Sequence, residues 1–173
     1  TSKMRVGATN AIAAKYMAPE GASTVGLLGA GRQAGGQVWG FDTVLDLEEI
    51  RVYSPTKESR ESFAAEWDER LDASVVAVAD AETAVGGADV FATATNSMEP
   101  VFDPDLIEPG THVSTVKNPE VPEGIFDAVD RVAVHTLSAP EGPHNYTPRG
   151  SNFADRLDSA WGWDGCPAVD AGA

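Results

Sequence analysis

Thr24-Val-Gly-Leu-Leu28 is an apolar, strand-like run that stops at Gly29-Ala-Gly-Arg-Gln-Ala34, where a helix-compatible segment over 33–45 takes over. A second strand-like run, Ile50-Arg-Val-Tyr53, comes next. No other feature constrains the fold as much, because two parallel neighbouring strands need a helical crossover and the glycines dictate how that crossover begins. In a Gly-x-Gly-x-x-Ala turn the first glycine permits the sharp strand-to-helix bend. The second lets the backbone approach a pyrophosphate with no Cβ in the way, and the small sixth residue lets the helix pack closely on the strand. Free N–H groups and the positive end of the helix dipole then hold the phosphate charge. The turn therefore points to a dinucleotide, nicotinamide or flavin. With 17 glycines in 173 residues such a spacing also arises as an ordinary structural turn. The surrounding βαβ unit, of about the ~30 residues the motif requires, favours the ligand-binding reading.

Further strand-like runs stand at 75–79, 90–95, 112–116 and 131–135, with helical segments at 57–70 and 81–85. An alanine-rich helix is expected over 8–17, ended by Pro19 and Gly21. The strand-like runs are nearly continuous in apolar residues, as parallel strands covered on both faces must be. The expected fold is α/β: a three-layer, doubly wound, mostly parallel Rossmann sheet of about six strands. Residues 1–22 read as a helix entering the domain, 23–137 as the dinucleotide-binding domain, and 138–173 as a proline- and glycine-rich loop and tail. Within that tail 152–161 fits one short helix, Trp161 and Trp163 pack back on the domain or meet another subunit, and 166–173 is expected to fray.

Composition narrows the partners. A formal net charge of −15 and a pI near 4.3 argue against nucleic acid, whose phosphates would be repelled. The acidic residues are spread along the chain and there are only four lysines, Lys3, Lys15, Lys57 and Lys117. That balance resembles proteins of salt-loving organisms, where salt screens self-repulsion, and equally suits an ordinary acidic cytosolic protein. No run approaches a membrane span and the start lacks a secretory apolar stretch, so a soluble, cytoplasmic protein is expected. Cys166 is the single cysteine, and His112, His135 and His144 have no metal-ligand spacing, so neither a disulfide nor a metal site is expected.

Several segments together carry a more specific signal: Arg5-Val-Gly-Ala-Thr-Asn-Ala-Ile-Ala-Ala-Lys-Tyr-Met17, the Gly29–Ala34 turn, Val52-Tyr-Ser-Pro-Thr-Lys57, Ala88-Asp-Val-Phe-Ala-Thr-Ala-Thr-Asn-Ser97, Glu99-Pro-Val101 and Pro109-Gly-Thr-His-Val113. From Arg5 to about His135 the chain resembles the ornithine cyclodeaminase/mu-crystallin family. The resemblance implies a Rossmann domain that binds NADP or NAD, in an oxidoreductase or lyase acting at a carbon–nitrogen bond of an amino acid, keto acid or cyclic imine. It also implies an outer domain that carries the dimer interface and much of the substrate site. By position, Arg5 corresponds to the arginine that pairs with the substrate carboxylate, a task that suits a planar guanidinium. Read without the resemblance, Arg5 is a solvated arginine before a helix. Gly29, Ala30, Gly31, Arg32, Gln33 and Ala34 carry over as the pyrophosphate site. Thr93, Ala94 and Thr95 are expected near the ribose and nicotinamide, with Val116 on the same cofactor cleft.

NAD sites usually place a carboxylate after the second strand to accept the ribose 2′-OH, and here that residue is Ser54. Ser54, Thr56 and Lys57 can donate to a 2′-phosphate, so NADP is favoured over NAD. Many NADP-preferring relatives carry an arginine where this chain has Pro55, so Lys57 or Arg60 would have to replace it. Ser54 or Thr56 also reads as the N-cap of the helix over 57–70.

The match has gaps. Cyclodeaminases carry a lysine and further substrate contacts before Arg5, where only Thr1 to Met4 stand here. Glu120 is the nearest carboxylate to their catalytic aspartate but has no assigned role, and Lys117 is a cleft candidate that reads more readily as a solvated loop lysine. The catalytic residues therefore stay unassigned. The chain is expected to be incomplete as an enzyme: a piece of a larger one, or a stand-alone cofactor domain that works with a separate outer-domain chain or as a homo-oligomer. The alternative is a non-catalytic, nucleotide-dependent binding or regulatory protein like the mu-crystallin branch.

Overall fold

The computed structural model describes residues 2–134 and 169–170. Two compact units are formed, one from residues up to 96 together with 105–116, the other from 97–104 and residues from 117 onward.

In the first unit, helix α1 (Ser2–Met17) leads into β1 (Thr24–Leu28), α2 (Ala34–Val44), β2 (Glu49–Tyr53), α3 (Lys57–Asp68), β3 (Ser74–Ala77), α4 (Ala81–Val85), β4 (Val90–Thr93) and β5 (His112–Thr115). The five strands form one sheet in the order β3-β2-β1-β4-β5, parallel at every pairing. From β1 the chain winds outward to β3, then crosses back to the other side of β1. The crevice between β1 and β4 is thus the switch point where α/β sheets bind ligands.

The two faces of the sheet are covered differently. Val25, Leu27, Ile50, Val52, Val75, Val90 and Ala92 share one core with Val38 and Phe41 of α2, Phe63 of α3 and Ala14 of α1. On the opposite face a Cβ at Gly26 would run into the Ala84 carbonyl, so α4 lies directly on β1 there. Helices on both faces make the three-layer α/β architecture. Polar groups fasten its edges. The Asp89 carboxylate accepts the Ser23 and Thr24 N–H groups at 2.9 and 3.0 Å and the Thr24 hydroxyl at 2.8 Å, tying the start of β1 to the start of β4. Asp80 caps α4 by accepting the Thr83 N–H at 2.7 Å, and Arg51 donates to the Thr83 and Gly86 carbonyls at its other end.

α2 carries three glycines, poor helix formers, so its helix depends on packing. Gly36 lies against the Lys3 backbone, Gly7 against the Gly36 carbonyl, and a Cβ at Gly40 would come within 2.7 Å of the Gly7 carbonyl and 3.1 Å of Ala11. Contacts that rise together in both numbers mean that α1 and α2 run parallel. Asn10 Nδ2 donates to Gln37 Oε1 at 2.9 Å across the same seam. This seam is why α1 begins at Ser2 rather than at Ala8, as expected from the alanine-rich stretch alone: Lys3 and Gly7 are held helical by α2.

The second unit buries Phe102, Val121, Ile125 and Phe126 and contains a short helix, α5 (Ile125–Ala128). Its strands β6 (Ala133–Val134) and β7 (Val169–Asp170) pair in parallel as a separate two-stranded sheet. The run expected as a sixth strand of the main sheet is therefore β6, in another sheet; three apolar residues suffice for a two-residue pairing but not for a strand covered on both faces. Val169 and Asp170, expected to fray, are paired through backbone bonds that leave no side-chain signature. The helix expected over 152–161, Trp161, Trp163, Cys166, His135 and His144 lie outside the described residues. Among the described residues no helix is long and apolar enough to cross a membrane, and no cluster of His, Cys, Asp and Glu could hold a metal ion.

Candidate functional site

Because the sheet is wholly parallel, the C-terminal ends of all its strands lie on one edge, and each strand delivers its next residues there. β1 delivers Gly29 with φ 115°, a left-handed conformation that favours glycine. Its N–H donates to the Tyr53 carbonyl at 2.8 Å, while the Ala94 N–H donates to the Leu28 carbonyl at 2.8 Å. A Cβ on Gly29 would overlap the Ala94 carbonyl. The turn is thus pinned between the ends of β2 and β4.

Gly31 differs. Its φ is not positive, and a Cβ there would meet no atom within 4 Å. Ala30 is half-buried, Arg32 is exposed, and Gln33 occupies the N-cap position of α2 in helical conformation with no side-chain cap. The Ala34 N–H donates to the Gly31 carbonyl at 3.1 Å, and the fully buried Ala34 seats the helix on the sheet. The Gly36 N–H donates to the Gln33 carbonyl at 3.0 Å, so two N–H groups of the first turn already have backbone acceptors. Gln33 Oε1 is buried and has no hydrogen-bond partner. An open glycine at a helix start and an orphaned polar atom beside it fit a phosphate-bearing dinucleotide.

At the end of β2 stand Ser54, half-buried, and the exposed Thr56 and Lys57. No carboxylate occupies the position after the strand. Thr56 is the N-cap residue of α3, but neither its hydroxyl nor that of Ser54 makes a capping bond, so the expected side-chain cap is absent. Lys57 Nζ lies 3.7 Å from Glu61. Arg60, one turn into α3, donates to the Ser54 carbonyl at 2.8 Å and lies 5.7 Å from the centre of the Tyr53 ring. Its proximity to the strand end depends on the helix turn, which spacing alone does not reveal.

β4 brings Thr93 and Ala94, both buried, and Thr95, half-buried, to the same edge, with Thr93 in register between Leu28 and Thr115. Val116 follows β5 and packs on the main core. Arg5 lies inside α1, not before it, and is exposed. Since α1 runs parallel to α2, its N-terminal turns stand at the same edge as the Gly29–Ala34 turn. Arg5 has no ion-pair partner among the described residues.

Below the edge, His112 and Ser114 of β5 share the face carrying Val90 and Ala92, the one on which α1 packs, and His112 Nε2 lies 2.9 Å from Ser114 Oγ. Burial lowers the His112 pKa to about 4, so the imidazole is neutral. In the second unit Glu120 is fully buried; its carboxylate accepts the Lys117 N–H at 3.3 Å and its carbonyl the Val101 N–H at 3.1 Å.

The profile of the ornithine cyclodeaminase/mu-crystallin family matches residues 1–122. The Delta(1)-pyrroline-2-carboxylate reductase of Bacillus cereus is 30% identical over 141 residues, 79% of this chain and 43% of the relative. The ketimine reductase mu-crystallin of Rattus norvegicus is 35% identical over 114 residues, 65% of this chain and 34% of the relative. The solved Delta(1)-pyrroline-2-carboxylate reductase of Thermococcus litoralis, in complex with NADH and L-proline, superposes with a TM-score of 0.75 at 28% identity, covering 79% of this chain and 43% of that one. The chain thus spans less than half the length of these relatives.

Proposed function

The chain belongs to the ornithine cyclodeaminase/mu-crystallin family, and on that premise we propose that it is the nicotinamide-dinucleotide-binding part of an oxidoreductase or lyase acting at a carbon–nitrogen bond of a small amino acid, keto acid or cyclic imine. The observation that carries this reading is the contrast within one turn: Gly29 is locked by its φ and by Ala94, whereas Gly31 opens onto empty space at a helix start. In this reading Gly29, Ala30, Gly31, Arg32, Gln33 and Ala34 hold the pyrophosphate. Ser54, Thr56 and Lys57 face the adenine-side ribose, and Thr93, Ala94, Thr95 and Val116 face the nicotinamide side. When bound, the nicotinamide gives or takes a hydride. The exposed guanidinium of Arg5, with no ion-pair partner among the described residues, holds a substrate carboxylate through two parallel hydrogen bonds and orients it at the same edge. The lack of a carboxylate after β2 favours NADP(H) over NAD(H).

Thermal unfolding with and without excess nucleotide tests the reading. A ligand at ~100 times its dissociation constant stabilises by ~2.7 kcal/mol. NADP or NAD is expected to raise the midpoint accordingly, and Gly31→Asp to abolish the shift by setting a side chain and negative charge against the pyrophosphate. Since nothing lies within 4 Å of a Cβ at Gly31, that variant keeps its fold, so a lost shift reports on the ligand. No shift with either nucleotide, or an undiminished one in Gly31→Asp, would refute the assignment.

A further inference from the structure

We propose that Arg60 selects a 2′-phosphorylated adenine dinucleotide over the unphosphorylated one by offering its guanidinium to the 2′-phosphate at the end of β2. This deepens, and rests on, the dinucleotide reading above. Cationic side chains occur at four positions between 51 and 70, and three of them sit beside a carboxylate: Arg51 Nε at 3.1 Å from Glu49, Lys57 Nζ at 3.7 Å from Glu61 and Arg70 at 2.9 Å from Glu66. Arg60 has no ion-pair partner among the described residues. In a chain of net charge −15, an uncompensated, half-buried guanidinium is the exception.

Its two anchors place it. One N–H of the guanidinium donates to the Ser54 carbonyl at 2.8 Å, and the group lies over the Tyr53 ring at 5.7 Å from its centroid. Both are at the strand end where a doubly wound sheet reads the adenine-side ribose. A guanidinium has five N–H donors in a rigid fork, so four remain after the bond to Ser54, enough for a bidentate grip on a phosphate. The bond to Ser54 and the contact with the Tyr53 ring restrict the side chain before the ligand arrives. Lys57, half-neutralised by Glu61 on exposed and flexible side chains, suits this task less. The position after the strand is Ser54, so no carboxylate there opposes the phosphate.

Calorimetric titration of the whole chain with NADP⁺, NAD⁺, adenosine 2′,5′-bisphosphate and 5′-AMP tests the assignment. Arg60→Ala is expected to weaken NADP⁺ and the bisphosphate by about tenfold to hundredfold, as loss of charge-assisted hydrogen bonds does, and NAD⁺ and 5′-AMP by less than about threefold. Arg60→Lys should retain part of the discrimination, and Arg70→Ala, which removes a cation just beyond the far end of α3, all of it. Circular dichroism checks that each variant is folded; should Arg60→Ala unfold, Arg60→Gln answers the same question. Equal loss for both nucleotide classes, no loss for NADP⁺, a wild-type preference for NAD⁺, or an Arg70→Ala effect as large as that of Arg60→Ala overturns the proposal. A wild-type chain that binds neither dinucleotide overturns the cofactor reading as well. One that binds NAD⁺ normally while Arg60→Ala leaves the discrimination unchanged overturns Arg60 alone.

Discussion

A Cβ at Gly29 would collide with the Ala94 carbonyl, whereas one at Gly31 would touch nothing within 4 Å. Both glycines are visible in the sequence, but only the structure separates the one required by the chain's own path from the one that leaves room for a guest. Arg60 shows the limit of spacing more sharply: its bond to Ser54 and its contact with the Tyr53 ring arise from a helix turn folding back over a strand end. The same holds for His112, whose burial under α1 no local pattern announces. With its pKa near 4 in the folded protein and near 6.5 when unfolded, His112 takes up a proton in the unfolded chain first as pH falls. Its contribution is therefore intact above about pH 6.5 and lost progressively toward pH 4, by up to about 3 kcal/mol at ~1.4 kcal/mol per unit. Asp89 acts in the same direction but lower: burial raises its pKa, yet the bonds from Ser23 and Thr24 outweigh this and lower it overall. Asp42, raised by burial and by Asp72, acts in the opposite direction. His112→Gln should flatten the loss of stability between pH 6.5 and 4.5 in urea unfolding; an unchanged slope would show that other groups govern it.

The α1–α2 seam is a stretch of backbone-to-backbone packing that glycines permit. Glycine lowers helix propensity, so local reasoning starts α1 too late and gives no reason for three glycines in α2. Tertiary contact supplies the reason, since the helices approach until Gly7 meets the Gly36 carbonyl and Lys3 lies over Gly36. Gly7→Ala should push the helices apart and lower stability by about 1–3 kcal/mol, the usual range for overpacking, despite the better helix propensity of alanine. A chemical denaturation curve at or above the wild-type midpoint would contradict this packing. Arg5 rides on α1, so the seam also sets where its guanidinium stands relative to the Gly29–Ala34 turn. The strands were more legible. Their near-continuous apolar runs reflect burial on both faces, and the predicted bounds of 24–28 coincide with β1.

Over the whole molecule the acidic excess sets the response to salt. Isolated surface pairs such as Lys57–Glu61 and Arg70–Glu66 contribute little, whereas a net charge of −15 repels itself throughout. Raising sodium chloride from about 0.01 to about 1 M shortens the Debye length from about 30 to about 3 Å and should raise the unfolding midpoint. A midpoint that falls instead would mean that the ion pairs outweigh the repulsion. The alternation of strands and helices, their parallel pairing and the Gly29–Ala34 turn were determined by the sequence alone, because periodicity and backbone freedom are properties of neighbouring residues. Only the tertiary structure decided that the sheet has five strands among the described residues, that α1 reaches Ser2 and carries Arg5 to the edge where the Gly29–Ala34 turn stands, and that Arg60, with no ion-pair partner among the described residues, bonds to the Ser54 carbonyl. Each of these depends on which distant residues meet, and contact between distant residues leaves no period in the chain.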